Sequence, residues 1–275
     1  MNKLPIFPLL LLLLAACTPS VQSDDLENVY LPTVANAGDI WQPTVGTSWQ
    51  YQLSGTVDTS IDAEVYVVDM VDTPQSTIDE LHANGRFVIC YFSAGSWENY
   101  RDDADDFPPS VLGNVLDGWP DEKWLDIREI DLLASIMRAR LDVAVSKQCD
   151  GVDPDNVDGY TNDSGFPLTY ADQVAYNRWM VGEAHSRGLA IGLKNGLEQI
   201  PELVSEYEWE INEQCFEFEE CETLLPFIEA GKPVWNVEYV EEGATLPDFC
   251  PQANAYNFDS LLKEYDLGSW RESCR

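Results

Sequence analysis

Histidine is almost missing from this chain: only His82 and His185 occur among 275 residues. No Cys-x-x-Cys pair is present either, so a zinc centre of the usual nitrogen and sulfur ligands is not expected. Both histidines fall in stretches with amphipathic helical spacing, where a solvated or capping role is the ordinary one. Basic residues are scarce, 15 Lys and Arg against 49 Asp and Glu, for a formal charge of -34. Nucleic acid and anionic lipid surfaces are therefore not expected as partners, because the long-range field opposes their approach. A Gly-x-Gly-x-x-Gly turn is absent after the first apolar run, which removes the main support for a doubly wound dinucleotide-binding sheet. Tandem repeats and a second domain are absent as well. No cofactor is called for.

Long apolar runs are also few. The one at Leu4–Leu14 follows Lys3, is broken by Pro5 and Pro8, and is too short to cross a bilayer as a helix. It reads as a secretory signal over residues 1–16, and Leu14-Ala15-Ala16-Cys17 resembles the lipobox of bacterial lipoproteins, in which Cys17 would carry the lipid. An ordinary cleaved signal is the alternative. Residues 17–38, with Pro19, Ser20, Ser23, Asp24, Asp25 and Pro32 and no sustained periodicity, look like a flexible acidic tether. The expectation is an exported monomer held to a membrane or cell surface through that lipid alone. Six further cysteines, an even number in an exported chain, argue for disulfides, although six permit 15 pairings. Proximity favours Cys215 with Cys221 and Cys250 with Cys274, leaving Cys90 for Cys149.

What is present is a hydrophobic fraction of 45% with 11% aromatics, enough to bury a core. From about residue 39 to residue 275, short apolar runs alternate with helical periodicity, the pattern of βα units on a parallel sheet. The runs Trp49–Leu53, Glu64–Met70, Arg86–Phe92, Gly151–Asp155, Ala190–Lys194, Glu208–Asn212, Val234–Val237 and Ser260–Lys263 predict strands. Helices are predicted from Thr73-Pro74 to Gly85, over Glu129–Lys147, over Tyr170–Arg187 and over Glu222–Ala230. Eight strands in this length suit an α/β fold with a single (β/α)8 TIM-like barrel.

Barrel chemistry lies at the carboxyl ends of the strands, and here almost every apolar run ends in polar residues. The densest group is Asp150-Gly-Val-Asp153-Pro-Asp155-Asn156-Val-Asp158-Gly-Tyr160, four carboxylates in nine residues. Like charges this close repel, so a folded protein keeps them where a cation, a sugar or a proton transfer uses them. A calcium loop is a poor fit, because Val157 and Ser164 stand where ligands are needed. A second acidic run end, Asn212-Glu213-Gln214-Cys215, lies further along, and two separated carboxylates are what glycoside hydrolysis uses.

Cys90-Tyr-Phe-Ser-Ala-Gly-Ser-Trp97-Glu98, Trp124-Leu-Asp-Ile-Arg128, the acidic motif above, Gly192-Leu-Lys194-Asn195 and Asn212-Glu-Gln-Cys215 together resemble glycoside hydrolase family 114, the endo-α-1,4-polygalactosaminidases. The resemblance runs from about Trp49 to Lys263. It implies a TIM-like barrel, internal cleavage of α-1,4-linked galactosamine-rich polysaccharide, and a retaining mechanism with catalytic Asp155 and Glu213. Asp153, two residues from Asp155, stays open as an alternative nucleophile. Asp69, Asp153, Asn156, Asp158, Lys194, Asn195 and Glu238 are candidate ligands for sugar hydroxyls or amines, and Tyr91, Trp97, Tyr160 and Trp235 candidate stacking surfaces. A carbohydrate-binding lipoprotein without catalysis is the second reading. The acidity fits either a saline habitat or a cationic polymer substrate.

Overall fold

The structure, a computed structural model, describes residues 40–275. The signal segment, Cys17 and the tether all lie outside the described residues. Eight strands form one parallel sheet: β1 (Trp49–Gln52), β2 (Val65–Asp69) and β3 (Phe87–Ser93) are followed by β7 (Gly151–Asp155), β8 (Ala190–Lys194), β9 (Trp209–Glu213), β10 (Val234–Tyr239) and β11 (Asp259–Lys263), in that spatial order. A short β12 (Glu272–Ser273) pairs antiparallel with β11. Between β3 and β7 the chain inserts a small antiparallel sheet of β4 (Ser96–Glu98), β5 (Leu112–Leu116) and β6 (Trp119–Leu125). The helices are α1 (Gln75–Ala83), α2 (Ile130–Ser146), α3 (Tyr170–His185), α4 (Ile200–Leu203), α5 (Leu225–Glu229) and α6 (Leu246–Tyr256).

All eight predicted parallel strands and all four predicted helices are present. The inserted sheet and α6 were not anticipated; α6 carries Pro247 in its first turn and tolerates Pro251 inside it.

Strand alternation sorts the apolar side chains into two cores. Odd-numbered positions such as Trp49, Val65, Ile89, Trp209, Trp235 and Leu261 cluster on one face, and Val68, Val88, Val152, Ile191 and Leu193 pack with the helices on the other. The first cluster exists because the sheet curls. Eight flat strands would hold their edges about 34 Å apart at the usual spacing, yet the Trp49 indole on β1 donates to Asp259 O on β11 at 2.8 Å and stacks on Trp235 of β10 with centroids 5.7 Å apart. No ladder joins β1 to β11 among the described residues. Instead the segment after β11 bridges them: Leu53 N donates to Leu267 O at 2.9 Å and Gln50 Nε2 to Ser269 O at 3.0 Å. The fold is thus a curled parallel sheet whose edges meet through side chains and a loop.

Three disulfides, Cys90–Cys149, Cys215–Cys221 and Cys250–Cys274, match the pairing that proximity favours. Trp209 fills the enclosed core, and only glycine fits beside it. A Cβ on Gly192 would lie 1.9 Å from its Nε1 and one on Gly151 2.6 Å from its Cη2. Gly192→Ala is expected to lower the unfolding free energy by about 1–3 kcal/mol. The Gly192→Ala, Trp209→Phe double variant should recover part of that loss in denaturant melts; strictly additive losses would show that the indole is not the obstacle.

Candidate active site

Three neighbouring strands, β7, β8 and β9, end in a charged residue followed at once by one in the left-handed region: Asp155 then Asn156 (φ 60), Lys194 then Asn195 (φ 51), Glu213 then Gln214 (φ 66). The backbone therefore turns away as soon as each charged side chain has been presented. Asparagine tolerates this conformation; glutamine does so less readily, at a cost of order 1–3 kcal/mol that the surrounding fold must offset. Close packing fixes the first of these turns. Ala94 N and Gly95 N donate to Asp155 O at 2.9 and 3.1 Å, and a Cβ on Gly95 would lie 1.7 Å from Asn156 O.

Lys194 is buried, and its ammonium stands between two carboxylates: 3.0 Å from Asp155 Oδ1 and 2.8 Å from Glu213 Oε2. The two oxygens can be separated by no more than the sum of those distances. The rest of each carboxylate is held by a tyrosine, Tyr91 OH donating to Asp155 Oδ2 at 2.8 Å and Tyr239 OH to Glu213 Oε1. Asn156 N adds a bond to Asp155 Oδ1 at 2.7 Å, and Asn195 Oδ1 accepts from Glu213 N at 3.0 Å. Burial by itself would raise the Asp155 pKa, but the Lys194 ammonium and these donors outweigh it and hold the carboxyl below its usual value. Burial likewise opposes charge on Lys194, and the adjacent Asp155 and Glu213 keep it protonated, well above the ordinary lysine range.

Asp153 differs from Asp155 in every respect that matters. It is fully buried, neither carboxylate oxygen has a protein partner, and burial, with Asp155 and Glu213 nearby, raises its pKa to about 8. A neutral acid is a poor nucleophile at pH 7, which favours Asp155 over Asp153 for that role.

These groups open into a cleft of about 640 Å³ at the carboxyl ends of the strands. Nine carboxylates line it, from Asp69, Asp72, Glu98, Asp117, Glu122, Asp155, Asp158, Glu213 and Asp266, against one arginine, Arg101. Asp158 is raised to about 6 by burial and by Asp155. Asn156 and Asn195 also face the cleft, and Tyr160 lies beside it with its hydroxyl on Glu198 at 2.9 Å.

Besides Asp153 and Lys194, which are buried, and Tyr91, whose hydroxyl is spent on Asp155, four sequence candidates sit elsewhere or are already engaged. Trp235 is wholly buried between Trp49 and Trp209 and offers no sugar-facing surface. Glu238 occupies the helix-facing side of β10, where it accepts from Phe216 N at 3.0 Å and Asn236 Nδ2 at 3.1 Å. Trp97 does not line the cleft; its indole donates to Ala104 O at 3.0 Å, under Lys123. Asp69 reaches the rim, but Arg101 holds it at 2.6 and 3.2 Å and two backbone amides of its own loop occupy the remainder. The residues missed were Tyr239, Tyr51 and the rim aromatics Tyr100, Trp119 and Trp124. Alternation with Trp235 and Val237 marks Tyr239 as the inward residue instead of Glu238. The hairpin carrying Trp119 was signalled by Asp117-Gly118, whose glycine has φ 78. Neither histidine is near the site: His82 pairs with Asp150 at 3.0 Å and His185 with Glu208 at 3.2 Å.

A sequence model of the glycoside-hydrolase family GH114 matches residues 31–275. The chain is 28% identical over 250 residues, 80% of each chain, to an uncharacterized protein of Deinococcus radiodurans. Among solved structures it is similar to Aspergillus fumigatus Ega3 in complex with galactosamine, with a TM-score of 0.81 and 45% identity over 85% of this chain and 97% of that one. It also shares its fold with the glycoside hydrolase domain of PelA from Pseudomonas aeruginosa, at a TM-score of 0.63 and 13% identity over 82% of this chain and 97% of that one.

The raised pKa of Asp153 has a measurable consequence. Above about pH 4 the unfolded chain has lost it, while the native protein keeps it up to about pH 8. Across that window the native state binds more protons, so this residue lowers stability as pH rises, and its effect levels off above pH 8. Asp153→Asn is expected to gain stability relative to the parent by at least about 1 kcal/mol between pH 4 and pH 8. Urea unfolding of both proteins at each pH would show it; a difference independent of pH would mean that Asp153 is ionised in the native state.

Proposed function

Since the chain belongs to glycoside-hydrolase family GH114, we propose that it is an endo-acting, retaining hydrolase of α-1,4-linked galactosamine-rich polysaccharide, with Asp155 as nucleophile and Glu213 as acid/base. The observation that carries this reading is the pair of carboxylates held by one ammonium at 3.0 and 2.8 Å. The two oxygens so held lie within the sum of those distances, which is compatible with the about 5–5.5 Å between carboxyl groups in retaining enzymes and shorter than the about 6.5–9.5 Å of inverting ones. Asp155, kept ionised by Lys194, Asn156 N and Tyr91, attacks the anomeric carbon while Glu213, which has first taken up a proton from solvent through the open cleft, gives that proton to the departing oxygen. Water then attacks the resulting ester, loses its proton to Glu213, and frees Asp155 and the sugar with its configuration retained. Lys194 and Tyr91 position Asp155, and Tyr239 positions Glu213. Asn156, Asp158, Tyr160 and Asn195 are the polar groups placed to meet the substrate.

Two observations support the substrate class. Ega3, 45% identical, is described in complex with galactosamine. The cleft carries nine carboxylates against Arg101 and the Lys194 ammonium beneath it, an acidic excess that attracts ammonium groups along a polymer with free amines.

Asp155→Asn and Glu213→Gln are expected to lower turnover on such a polymer by about a thousandfold or more with folding intact, since each keeps volume and removes one ionisable group. Azide added to Asp155→Gly should yield a sugar azide of inverted configuration. Near-normal release of reducing ends by either isosteric variant would refute the assignment, and no release by the parent from any α-linked polymer would favour a carbohydrate-binding protein without catalysis.

Charge supplies an independent check. Full N-acetylation of the polymer should reduce kcat/KM by about tenfold or more, mostly through KM. Raising salt from 0.1 M, where screening acts over about 10 Å, should reduce it further on the amine form only. Equal rates at every acetylation level would assign the acidity to solubility.

A further inference from the structure

Beside the catalytic cleft lies a second cavity of about 350 Å³, and the two share Asp158, Asn195, Glu213 and Gln214 as common wall. They form one groove with Glu213 at the junction. Asp155, by contrast, lines the larger arm only. Each arm carries a large aromatic turned to solvent: Trp119, 60% exposed, lines the larger arm, and Phe218, 62% exposed, lines the smaller. Single exposed hydrophobics are ordinary on protein surfaces. Phe218 is set apart by its support. It sits in a loop closed by Cys215–Cys221, with Phe218 N donating to Gln214 O at 3.0 Å and Glu220 N to Cys215 O at 2.9 Å, so a fixed backbone presents its ring to the arm that Glu213 also lines. Glu198 and Glu220 line the same arm, and no Lys or Arg lines it among the described residues.

We infer that the smaller arm is the binding site for the leaving-group side of the polysaccharide, with Phe218 stacking on an aminosugar ring and Glu198 and Glu220 taking its ammonium groups. The inference rests on the roles given above to Asp155 and Glu213. In a retaining enzyme the sugar that becomes covalently attached lies against the nucleophile, and the departing sugar lies beyond the acid that protonates the glycosidic oxygen. The nucleophile faces the larger arm alone, so the attached sugar belongs there. The carboxylate at the junction opens onto the smaller arm, so the departing chain, which keeps the reducing end, runs past Phe218. Sugars bound on both sides of the scissile bond are what internal cleavage requires.

The test uses a galactosamine hexamer labelled at its reducing end, digested by the full-length protein, by Phe218→Ala and by Trp119→Ala. Loss of contacts on the leaving-group side moves the preferred cut toward the reducing end, so Phe218→Ala should give shorter labelled fragments and lower kcat/KM by about fivefold. Trp119→Ala should shift the cut the other way and give longer labelled fragments. Glu198→Gln combined with Glu220→Gln should move the cut in the same direction as Phe218→Ala and make it less sensitive to salt. If the parent cleaves the hexamer and Phe218→Ala gives the same fragments, or shifts them as Trp119→Ala does, the assignment of the arm is overturned while the function stands. If the parent leaves the hexamer and the polymer whole, the functional reading falls and the arm with it.

Discussion

One buried ammonium organises the carboxyl end of this sheet. Lys194 Nζ has almost no contact with solvent and is tolerated there because Asp155 and Glu213 meet it at 3.0 and 2.8 Å. A buried charge deprived of its partner costs several kcal/mol, so the ends of β7, β8 and β9 are bound to a common register by electrostatics as well as by their ladders. The same arrangement sets the chemistry. Two carboxylates this close would otherwise repel and share a proton; the ammonium between them lets Asp155 stay charged while a tyrosine hydroxyl on each remaining oxygen fixes its direction.

The charge gradient along β7 follows from depth. Asp155 and Asp153 point to the same side of one strand, two residues apart, yet the outer one finds an ammonium, an amide and a hydroxyl while the inner one finds no partner at all. The inner group therefore holds its proton and the outer one loses it. Ionising Asp153 as well, below Lys194, would pull the ammonium away from Asp155 and Glu213, so the neutrality of Asp153 is part of what keeps Lys194 divided between them.

Much of this was legible in the sequence, for identifiable reasons. Buried parallel strands read as apolar runs, and those ending in Asp155, Lys194 and Glu213 stood out because a charged residue closing such a run has few structural explanations. Where the reading failed, it failed on facing and on closure. Glu238 drew attention as a carboxylate at a strand end, but the two-residue period puts Tyr239 inward and Glu238 behind the sheet, a displacement of one residue that reverses which face is presented. Trp235 obeys the same period and goes inward too, at a level where the curl is filled. Trp97 and Trp124 belong to an inserted hairpin sheet whose only local signal was Asp117-Gly118, and the rim aromatics came with it unseen.

Closure was the least legible feature, because no strand run encodes it. Tyr51 on β1 and Tyr239 on β10 line the same cleft although they lie six positions apart in the sheet order. They meet only because Trp49 reaches Asp259 O and the Tyr265–Trp270 segment spans the gap, anchored by Lys263 Nζ on Gly268 O at 2.6 Å and Trp270 O at 2.7 Å. Tyr265, Asp266 and Leu267 of that same segment form part of the cleft wall. The element that replaces a backbone ladder at the seam is thus also part of the cleft wall. A fully laddered seam would have satisfied the strand edges and left this stretch of wall, with its carboxylate and its tyrosine, out of the groove.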